Sequence, residues 1–172
     1  SCLQRLFSMI KLYDKKGYHY SKTIFDVTAE TNANSEKDVI ELTLSTVDNA
    51  PIYYTLDGTT PTEDSQEYTG TILISKPVTV TAKAFRSNME TPVYTESFDI
   101  NKATMKPIEI NQQPHKSYTF GGAAALVDGI SGNKGNYKDG SWIGFNRGDL
   151  EIFIDFKSET DFSEVSFNTY VC

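Results

Sequence analysis

Two stretches of the chain alternate apolar and polar residues with the two-residue period of a β-strand that buries one face. In "DVIELTLST", residues 38–46, every second residue from Ile40 to Leu44 is a large aliphatic one. In "PVTVTAKAF", residues 77–85, every second residue from Val78 to Ala84 is valine or alanine. Three further short apolar runs lie between turn residues: "PIYYTL", "GTILIS" and "PVYTESFDI". Short strands separated by Asp-Gly and Xaa-Pro turns predict an antiparallel β-sandwich over residues 26–102.

The first 25 residues have a helical period instead. Five apolar residues recur three or four positions apart and form one stripe: Leu3, Leu6, Phe7, Ile10 and Tyr13. Lys15 and Lys16 would complement the helix dipole in the last turn, and Gly17 can take the left-handed conformation that ends a helix. The pattern predicts a helix that ends at Gly17. Met9 and Leu12 widen its apolar face, so its packing partner should be larger than the segment that follows.

Alternation returns in the last third of the chain, after a stretch that we interpret as a linker, "NKATMKPIEINQQPHKSY". Leu150, Ile152, Ile154 and Phe156 occupy every second position of one run. A second run places Val165, Phe167, Thr169 and Val171 in the same way. Both runs predict strands. We therefore expect a second β unit within residues 103–172.

Charge narrows the range of partners. The chain has 23 acids and 16 bases, a net charge of −7, so it offers no broad basic surface for nucleic acid. The charge is uneven: residues 1–25 carry five bases and one acid, residues 26–102 five bases and 13 acids, and residues 103–172 six bases and nine acids. No apolar run is long enough for a transmembrane segment, and the N-terminus lacks a signal-peptide pattern. We expect a soluble piece, mature or excised.

Cysteine and histidine give no chemical signature. Cys2 and Cys172 stand at the two extremes of the chain, where they form neither a CxxC pair nor a zinc-ligand cluster. Their redox state is therefore open, with a structural disulfide as one alternative. His19 and His115 have no metal partner nearby in sequence, and a lone histidine is more often a surface or packing residue. No cofactor is predicted on these grounds.

The stretch from Ile52 to Gly70 contains an Asp-Gly turn at Asp57 and then a polar tract with three acids, Glu63, Asp64 and Glu67. A catalytic carboxylate pair needs an apolar pocket or a close charged partner to separate the two pKa values, and neither is evident in this tract. Asp57-Gly58 suits a tight turn, because aspartate and glycine tolerate positive φ. The tract is interpreted as a connection between strands, and no catalytic residue is assigned.

Motifs in two segments resemble parts of one enzyme family. "IYYTLDGTTPTEDSQEYTGTILISKPVTVTAKAF" resembles the chitobiase/β-hexosaminidase C-terminal domain in its paired aromatics, Thr-x-Asp-Gly-Thr-x-Pro-Thr, Ser-x-x-Tyr and Lys-Ala-Phe. That resemblance implies an immunoglobulin-like or fibronectin-like sandwich that accompanies family 20 glycoside hydrolases. "RLFSMIKLYDKKGYHYSKTIFDV" resembles the final helix and exit strand of their catalytic barrel. Residues 1–25 would then be the end of a barrel, and the barrel of the same polypeptide would be the partner.

The last segment resembles a different family. "AALVDGISGNKGNYKDGSWIGFNRGDLEIFIDF" is similar to the opening of a coagulation factor 5/8 type C, or discoidin-like, module. The resemblance implies a jelly roll of about eight strands, of which residues 103–172 would supply the N-terminal half. The expected fold class is therefore mainly β, with an N-terminal α-helix, a β-sandwich and a partial discoidin-like jelly roll.

The discoidin-like resemblance also supplies the candidate site residues. Asp128, in "LVDG", matches the region from which the family draws a calcium ligand, although Asp-Gly is also a common turn. Tyr137 and Trp142 could stack on a pyranose ring, and Trp142 could equally fill a core. Calcium is the one cofactor considered, and glycans are the ligands that the resemblance implies.

These observations predict a non-catalytic accessory region of a β-N-acetylhexosaminidase-like hydrolase, which supports the barrel and binds carbohydrate. The chain itself should not be an enzyme, since the family's catalytic Asp-Glu pair has no counterpart here. The family implies a periplasmic or extracellular location. The alternative is an adhesion or scaffold module of a cell-surface protein, which has no use for the helix at residues 3–16. An exposed helix stripe and open strand edges would favour self-association.

Overall fold

The structure is a computed structural model, and it describes residues 2–18, 23–87, 91–119, 121–131, 142–146, 148–167 and 169. Within these ranges it contains one α-helix and nine strands. The elements are α1 (Cys2–Lys16), β1 (Thr28–Asn34), β2 (Val39–Ser45), β3 (Ile52–Thr55), β4 (Gln66–Glu67), β5 (Ile72–Ile74), β6 (Val78–Ala84), β7 (Tyr94–Phe98), β8 (Ile108–Ile110) and β9 (Ile152–Ile154). The prediction of a mainly β chain with an N-terminal helix is confirmed.

Strands β1 to β7 form two antiparallel sheets. One sheet has the order β1-β2-β5, and the other has the order β4-β3-β6-β7. The predicted β-sandwich is therefore present, and each of its five predicted strand runs contains a strand. The sequence analysis missed β1 and the two-residue strand β4. β1 reads "TAETNAN", and most of its residues are exposed, so no buried face marks it in the sequence.

The core of the sandwich comes from the alternating residues that predicted its strands. Ile40, Leu42 and Leu44 of β2 are buried, and Val80 of β6 is fully buried opposite them. Phe98 closes the cluster from β7 at 2% exposure. Burying a large aliphatic or aromatic side chain contributes about 1.5–3 kcal/mol relative to leaving it exposed. The patterned strands therefore supply most of the packing that holds the two sheets together.

Helix α1 ends as predicted. Gly17 has a φ of 68°, and its amide donates to the carbonyl of Asp14. The amide of Tyr18 donates to the carbonyl of Tyr13, the six-to-one bond of a Schellman cap. The Tyr13 and Tyr18 rings meet edge to face, with centroids 5.7 Å apart. No helix in the described part of the chain is long and apolar enough to cross a membrane.

Residues beyond the sandwich form a two-stranded antiparallel ribbon of β8 and β9, in which Ile108 pairs with Ile154. Two predictions need correction here. Residues 101–118 are not simply a linker, because β8 lies within them. The described part of the run predicted from Val165 to Val171 is not a strand, and Val165 and Phe167 are exposed; Val171 itself lies outside the described residues. The predicted strand over residues 150–156 is shorter than expected, at Ile152–Ile154. The partial jelly roll stays a prediction.

A short segment, residues 127–131, lies along β7 and continues the sandwich. Phe98 and Ile130 form an antiparallel bridge, the Asp99 amide donates to the Gly129 carbonyl, and the Ser131 amide donates to the Ser97 carbonyl. Gly129 has a φ of 75°, and a Cβ there would lie 2.9 Å from Thr104 Cγ2. Any other residue would be strained at this φ and would push Thr104 aside, so the Asp-Gly of "LVDG" serves the packing of this segment on the sandwich.

Candidate functional site

The Asp57 loop, residues 55–62, is held by its own side chains. The carboxylate of Asp57 accepts hydrogen bonds from the Thr59 amide at 3.0 Å and the Thr59 hydroxyl at 2.6 Å. The Thr55 hydroxyl donates to the Thr59 carbonyl at 2.6 Å. Gly58, at a φ of 79°, donates its amide to the Thr79 carbonyl and so attaches the turn to β6. The repeated threonines of this motif are therefore explained by turn geometry.

The second half of the tract is also held by hydrogen bonds within the loop. The Thr62 amide donates to the Ser65 hydroxyl at 2.9 Å, and the Ser65 amide donates to the Thr62 carbonyl. Tyr68 then reaches across to the other sheet, where its hydroxyl accepts from the Leu44 amide at 3.0 Å. β5 pairs with β2 only as far as Leu42, so Tyr68 satisfies a backbone donor that lies beyond the end of that ladder.

The electrostatics of this tract do not suit acid–base catalysis. Glu63, Asp64 and Glu67 are all exposed to solvent. The hydrogen bonds from Thr59 hold the pKa of Asp57 below its ordinary value, so this carboxyl stays ionised and accepts bonds. A general acid at neutral pH needs a raised pKa instead. The bonds within the tract are those of a connection between strands, and the absence of a catalytic role stays a prediction.

The segment that leaves the helix is fixed to one end of the sandwich. Phe25 is buried, and Arg86 stands over its ring with the guanidinium carbon 5.4 Å from the ring centroid. Arg86 also binds Asp48 in a two-point ion pair, with Nε donating to Oδ2 at 2.8 Å and Nη2 to Oδ1 at 2.5 Å. Those bonds hold the pKa of Asp48 below its ordinary value. Phe25, Arg86 and Asp48 thus form a rigid joint between residues 23–27 and the sandwich.

Asp128 lies in the segment that continues β7. Its Oδ1 accepts a hydrogen bond from the Ile130 amide at 2.8 Å. Burial and the nearby charge of Glu96 together raise the pKa of this carboxyl to about 6, although the bond from the Ile130 amide lowers it. Glu96 in turn accepts a hydrogen bond from the Tyr94 hydroxyl. Asp128 therefore performs the turn-forming role that its Asp-Gly pattern allowed, in an environment that disfavours its negative charge.

The calcium prediction finds no cluster of ligands in the described ranges. Within them, no three histidine, cysteine, aspartate or glutamate side chains are grouped so that they could hold a metal ion. One oxygen of Asp128 is engaged by the Ile130 amide. Calcium binding at Asp128 stays a prediction, which a titration can test.

The structure describes one of the two candidate sugar-stacking residues, Trp142. Trp142 is half-buried, so it is neither a fully exposed platform nor a fully buried core residue. Tyr137 lies outside the described residues, as do His19, Cys172 and the side chain of Cys2. The loop beside Trp142 is well fixed, since the His115 amide donates to the Gly144 carbonyl at 2.7 Å. Sugar stacking stays a prediction.

Sequence reasoning missed a groove between the sandwich and the ribbon. We call it the junction groove: it has a volume of about 560 Å³ and is lined by parts of residues 100–106 and 156–160, with Asp38 and Ser75 at the sandwich end. Its walls come from segments that are distant in the chain and were interpreted as a linker and a strand. The excess of basic residues over acids at residues 102–106 was the one signal available.

Comparison with known proteins finds a family that is similar to the sandwich. A sequence model of the chitobiase/β-hexosaminidase C-terminal domain matches residues 29–97, a range that covers β1 to nearly the end of β7. No curated protein matches the chain significantly. The matched range covers 69 of the 172 residues and includes the whole Asp57 loop and Tyr68. Residues 29–97 are therefore similar to a chitobiase/β-hexosaminidase C-terminal domain.

Proposed function

We propose that this chain is a non-catalytic accessory region of a β-N-acetylhexosaminidase-like glycoside hydrolase that acts on glycans containing N-acetylhexosamine. The observation that carries the proposal is the match of the sandwich, residues 29–97, to the C-terminal domain of that family. The acids of its polar tract support a non-catalytic role, because they are exposed or engaged in turn formation. The family also favours a periplasmic or extracellular location.

In this proposal the helix and the joint connect the sandwich to a catalytic barrel. Met9 and Leu12 of α1 are 49% and 46% exposed, and they would pack on the barrel. The joint of Phe25, Arg86 and Asp48 would then transmit a fixed orientation, because its ring contact and two-point ion pair leave little rotational freedom. Residues 103–172 would add carbohydrate binding through Trp142 and Tyr137, as a discoidin-like module does.

Enzyme assays and stability measurements test this proposal together. A chromogenic N-acetylglucosaminide should be hydrolysed by the longer polypeptide that contains this sequence and not by the 172-residue chain. Met9→Gln and Leu12→Gln should lower the Tm of the longer polypeptide and leave the Tm of the 172-residue chain nearly unchanged, since only the former contains the packing partner. Arg5→Gln and Lys11→Gln, at exposed positions of the same helix, are matched controls.

Three outcomes would contradict the proposal. Turnover by the 172-residue chain would show that it is itself an enzyme. A longer polypeptide without hydrolase activity would favour an adhesion or scaffold protein. An equal loss of Tm in both proteins would show that Met9 and Leu12 pack within this chain, and the helix would then give no support for a barrel.

A further inference from the structure

The junction groove is a half-open cleft with the volume of a small-ligand site. Its volume of about 560 Å³ lies within the range typical of pockets for small molecules. One wall belongs to the end of the sandwich and the next connection, residues 100–106, and the other belongs to residues 156–160. The walls are joined by backbone and side-chain bonds: the Asp155 amide donates to the Pro107 carbonyl at 2.9 Å, and the Lys102 ammonium donates to the Asp161 carbonyl.

The charge of the groove is opposite to that of the protein. Lys102 and Lys106 both line it, whereas the chain as a whole carries −7. The acid on its lining, Asp38, stands at the sandwich end with its side chain 75% exposed, and it forms a long ion pair of 3.8 Å with Lys106. A pair of that length near the surface contributes little, and Lys102 uses one of its three donors on the Asp161 carbonyl, so both ammonium groups retain donors for a ligand. Two ammonium groups select an anion.

The groove also has an apolar side and several hydroxyl groups. Phe156, Ile100 and Met105 contribute apolar surface to the lining. The Phe156 ring is stacked on Phe162, with centroids 6.2 Å apart, and this contact supports its position in the wall. Ser75, Ser158 and Thr160 provide hydroxyl groups along the same lining. An apolar face combined with hydroxyl groups suits a ligand that has both ring CH groups and hydroxyls.

Backbone strain is concentrated at the same place. Among described residues, four that are not glycine have a positive φ: Asp38, Asn49, Met105 and Lys157. Asp38 and Met105 line the groove, and Lys157 lies between two residues that line it. Aspartate tolerates this conformation, but Met105 at 59° and Lys157 at 61° are uncommon. Residues in such uncommon conformations are found at binding sites, where the surrounding structure holds the backbone in the geometry that the ligand requires.

We infer that the junction groove binds an anionic saccharide unit, with the carboxylate or sulfate on Lys102 and Lys106 and the sugar ring against Phe156. The ligand class follows from the combination of two cations, an aromatic side chain and hydroxyl groups in one groove of suitable volume. Trp142 does not line the groove, and the inference does not depend on the proposed hydrolase role. Its test needs neither a barrel nor turnover.

The experiment is a two-dimensional ¹⁵N–¹H NMR titration of the 172-residue chain with sodium glucuronate, glucose and sodium sulfate at the same ionic strength. Glucuronate should shift amide signals of residues 100–106 and 156–160 with a millimolar Kd. Glucose and sulfate should each bind at least about tenfold more weakly, since each lacks one of the two features that the groove recognises.

Variants locate the effect and exclude misfolding. Lys106→Gln should weaken glucuronate binding by about tenfold, and Lys102→Gln by at least as much, because it also removes the bond to the Asp161 carbonyl. Lys116→Gln, an equal change of charge at an exposed position that does not line the groove, should leave the Kd unchanged. Asp38→Asn should tighten binding by about twofold, because it releases Lys106 from its ion pair. Asparagine also tolerates the positive φ of 56° at this position. A gain of affinity cannot come from loss of the fold.

Each remaining outcome would overturn the inference. Absence of shifts from glucuronate in a folded sample would show that the groove binds no such ligand. If glucose bound as tightly as glucuronate, the lysines would not recognise the carboxylate. If sulfate bound as tightly as glucuronate, the apolar wall would not contribute to binding. Glucuronate binding that neither lysine variant weakens would place the site elsewhere.

Discussion

The sandwich and the β8–β9 ribbon both have apolar residues in their strands, but only the sandwich buries them fully. Ile40, Leu42 and Val80 in the sandwich are each no more than 1% exposed. In the ribbon, Phe153 is 71% exposed, and Ile152 and Ile154 on the other face of β9 are only half-buried. The difference arises from the second sheet. In the described part of the chain no second sheet faces the ribbon, and besides β9 the strand β8 contacts a short 3-10 helix, Gly122–Leu126. A two-stranded ribbon is marginally stable alone in water.

The same contrast appears further along the chain. Phe162, Val165 and Phe167 follow the ribbon, and each is more than 60% exposed. The sandwich has large exposed residues as well, such as Leu73 at 59%, but its neighbours Ile72 and Ile74 are buried against the core. Alternation in sequence therefore indicates which residues would be buried in a strand, and burial follows only where another layer supplies the contacts.

The largest effect should come from a truncation in the sandwich core. We expect Leu42→Ala to lower the free energy of unfolding by about 2–5 kcal/mol, because it leaves a cavity beside fully buried neighbours. Phe153→Ala, on the exposed face of the ribbon, should change it by no more than about 0.5 kcal/mol. Urea denaturation followed by circular dichroism measures both values. Similar losses for the two variants would contradict the contrast, since they would show that Phe153 is packed in solution.

A glycine pair tests how residues 127–131 are attached to the sandwich. Gly129→Ala should destabilise by about 1–3 kcal/mol, because of the positive φ, with an added cost from the close approach to Thr104. Gly148 has a similar φ of 79°, but nothing lies within 4 Å of its Cβ position. Gly148→Ala should therefore cost less, and the difference in unfolding midpoints isolates the steric contact. An equal loss of stability in the two variants would mean that residues 127–131 can move away from Thr104 without a loss of stability.

The pattern of apolar residues predicted those parts of the fold in which buried side chains mark the strand or helix. The five apolar runs contain β2, β3, β5, β6 and β7, and Gly17 ends the helix as predicted. It missed β1, because the strand is defined by its backbone pairing with β2 from Thr28 to Asn34 and most of its residues are exposed. It missed β8 because two isoleucines among prolines, lysines and glutamines do not form a recognisable run.

The candidate site shows the same limit. The turn at Asp57 was predictable, because Asp-Gly carries its own backbone preference. The burial of Asp128 was not, because it depends on β7, which the segment joins through backbone bonds that any residues could form. The junction groove was not predictable either. Its lysines and its phenylalanine are about 50 residues apart, at Lys106 and Phe156, and only the folded chain brings them together.

The next largest effect on stability should come from Asp128. Its contribution should fall as pH rises, whereas an aspartate with a lowered pKa loses its contribution as pH falls. The pKa of Asp128, about 6 in the folded chain, is above the ordinary value of 3.8. The stability linked to this carboxyl is therefore fully present below pH 3.8 and is lost as pH rises through 6. Asp128→Asn keeps an acceptor for the Ile130 amide and removes the charge. It should stabilise the chain by about 1–2 kcal/mol at pH 7, after allowance for partial exposure.

The measurement is Tm at pH 4 and at pH 7, with and without calcium. At pH 4 the variant and the original chain should have nearly the same Tm, since the carboxyl is then largely protonated in the folded state. If calcium binds at Asp128, it should raise the Tm of the original chain at pH 7 and leave Asp128→Asn unaffected. A variant that is less stable at pH 7 without calcium would show that the charge of Asp128 is favourable, contrary to the burial described above.

The smallest effect should come from the Asp57 loop, and its pH dependence should have the opposite sign. Because hydrogen bonds from Thr59 lower the folded pKa of Asp57, the stability it contributes is present above the ordinary aspartate pKa and is lost as pH falls through the folded value. Asp57→Ala should lower the Tm at pH 7 by less than Gly129→Ala does, and the loss should shrink at pH 3. Asp64→Ala, the same change of charge at another exposed position of the tract, is the matched control and should have little effect at either pH. A loss at Asp64 equal to that at Asp57 would show that net charge, and not the bonds within the turn, determines the contribution of this loop.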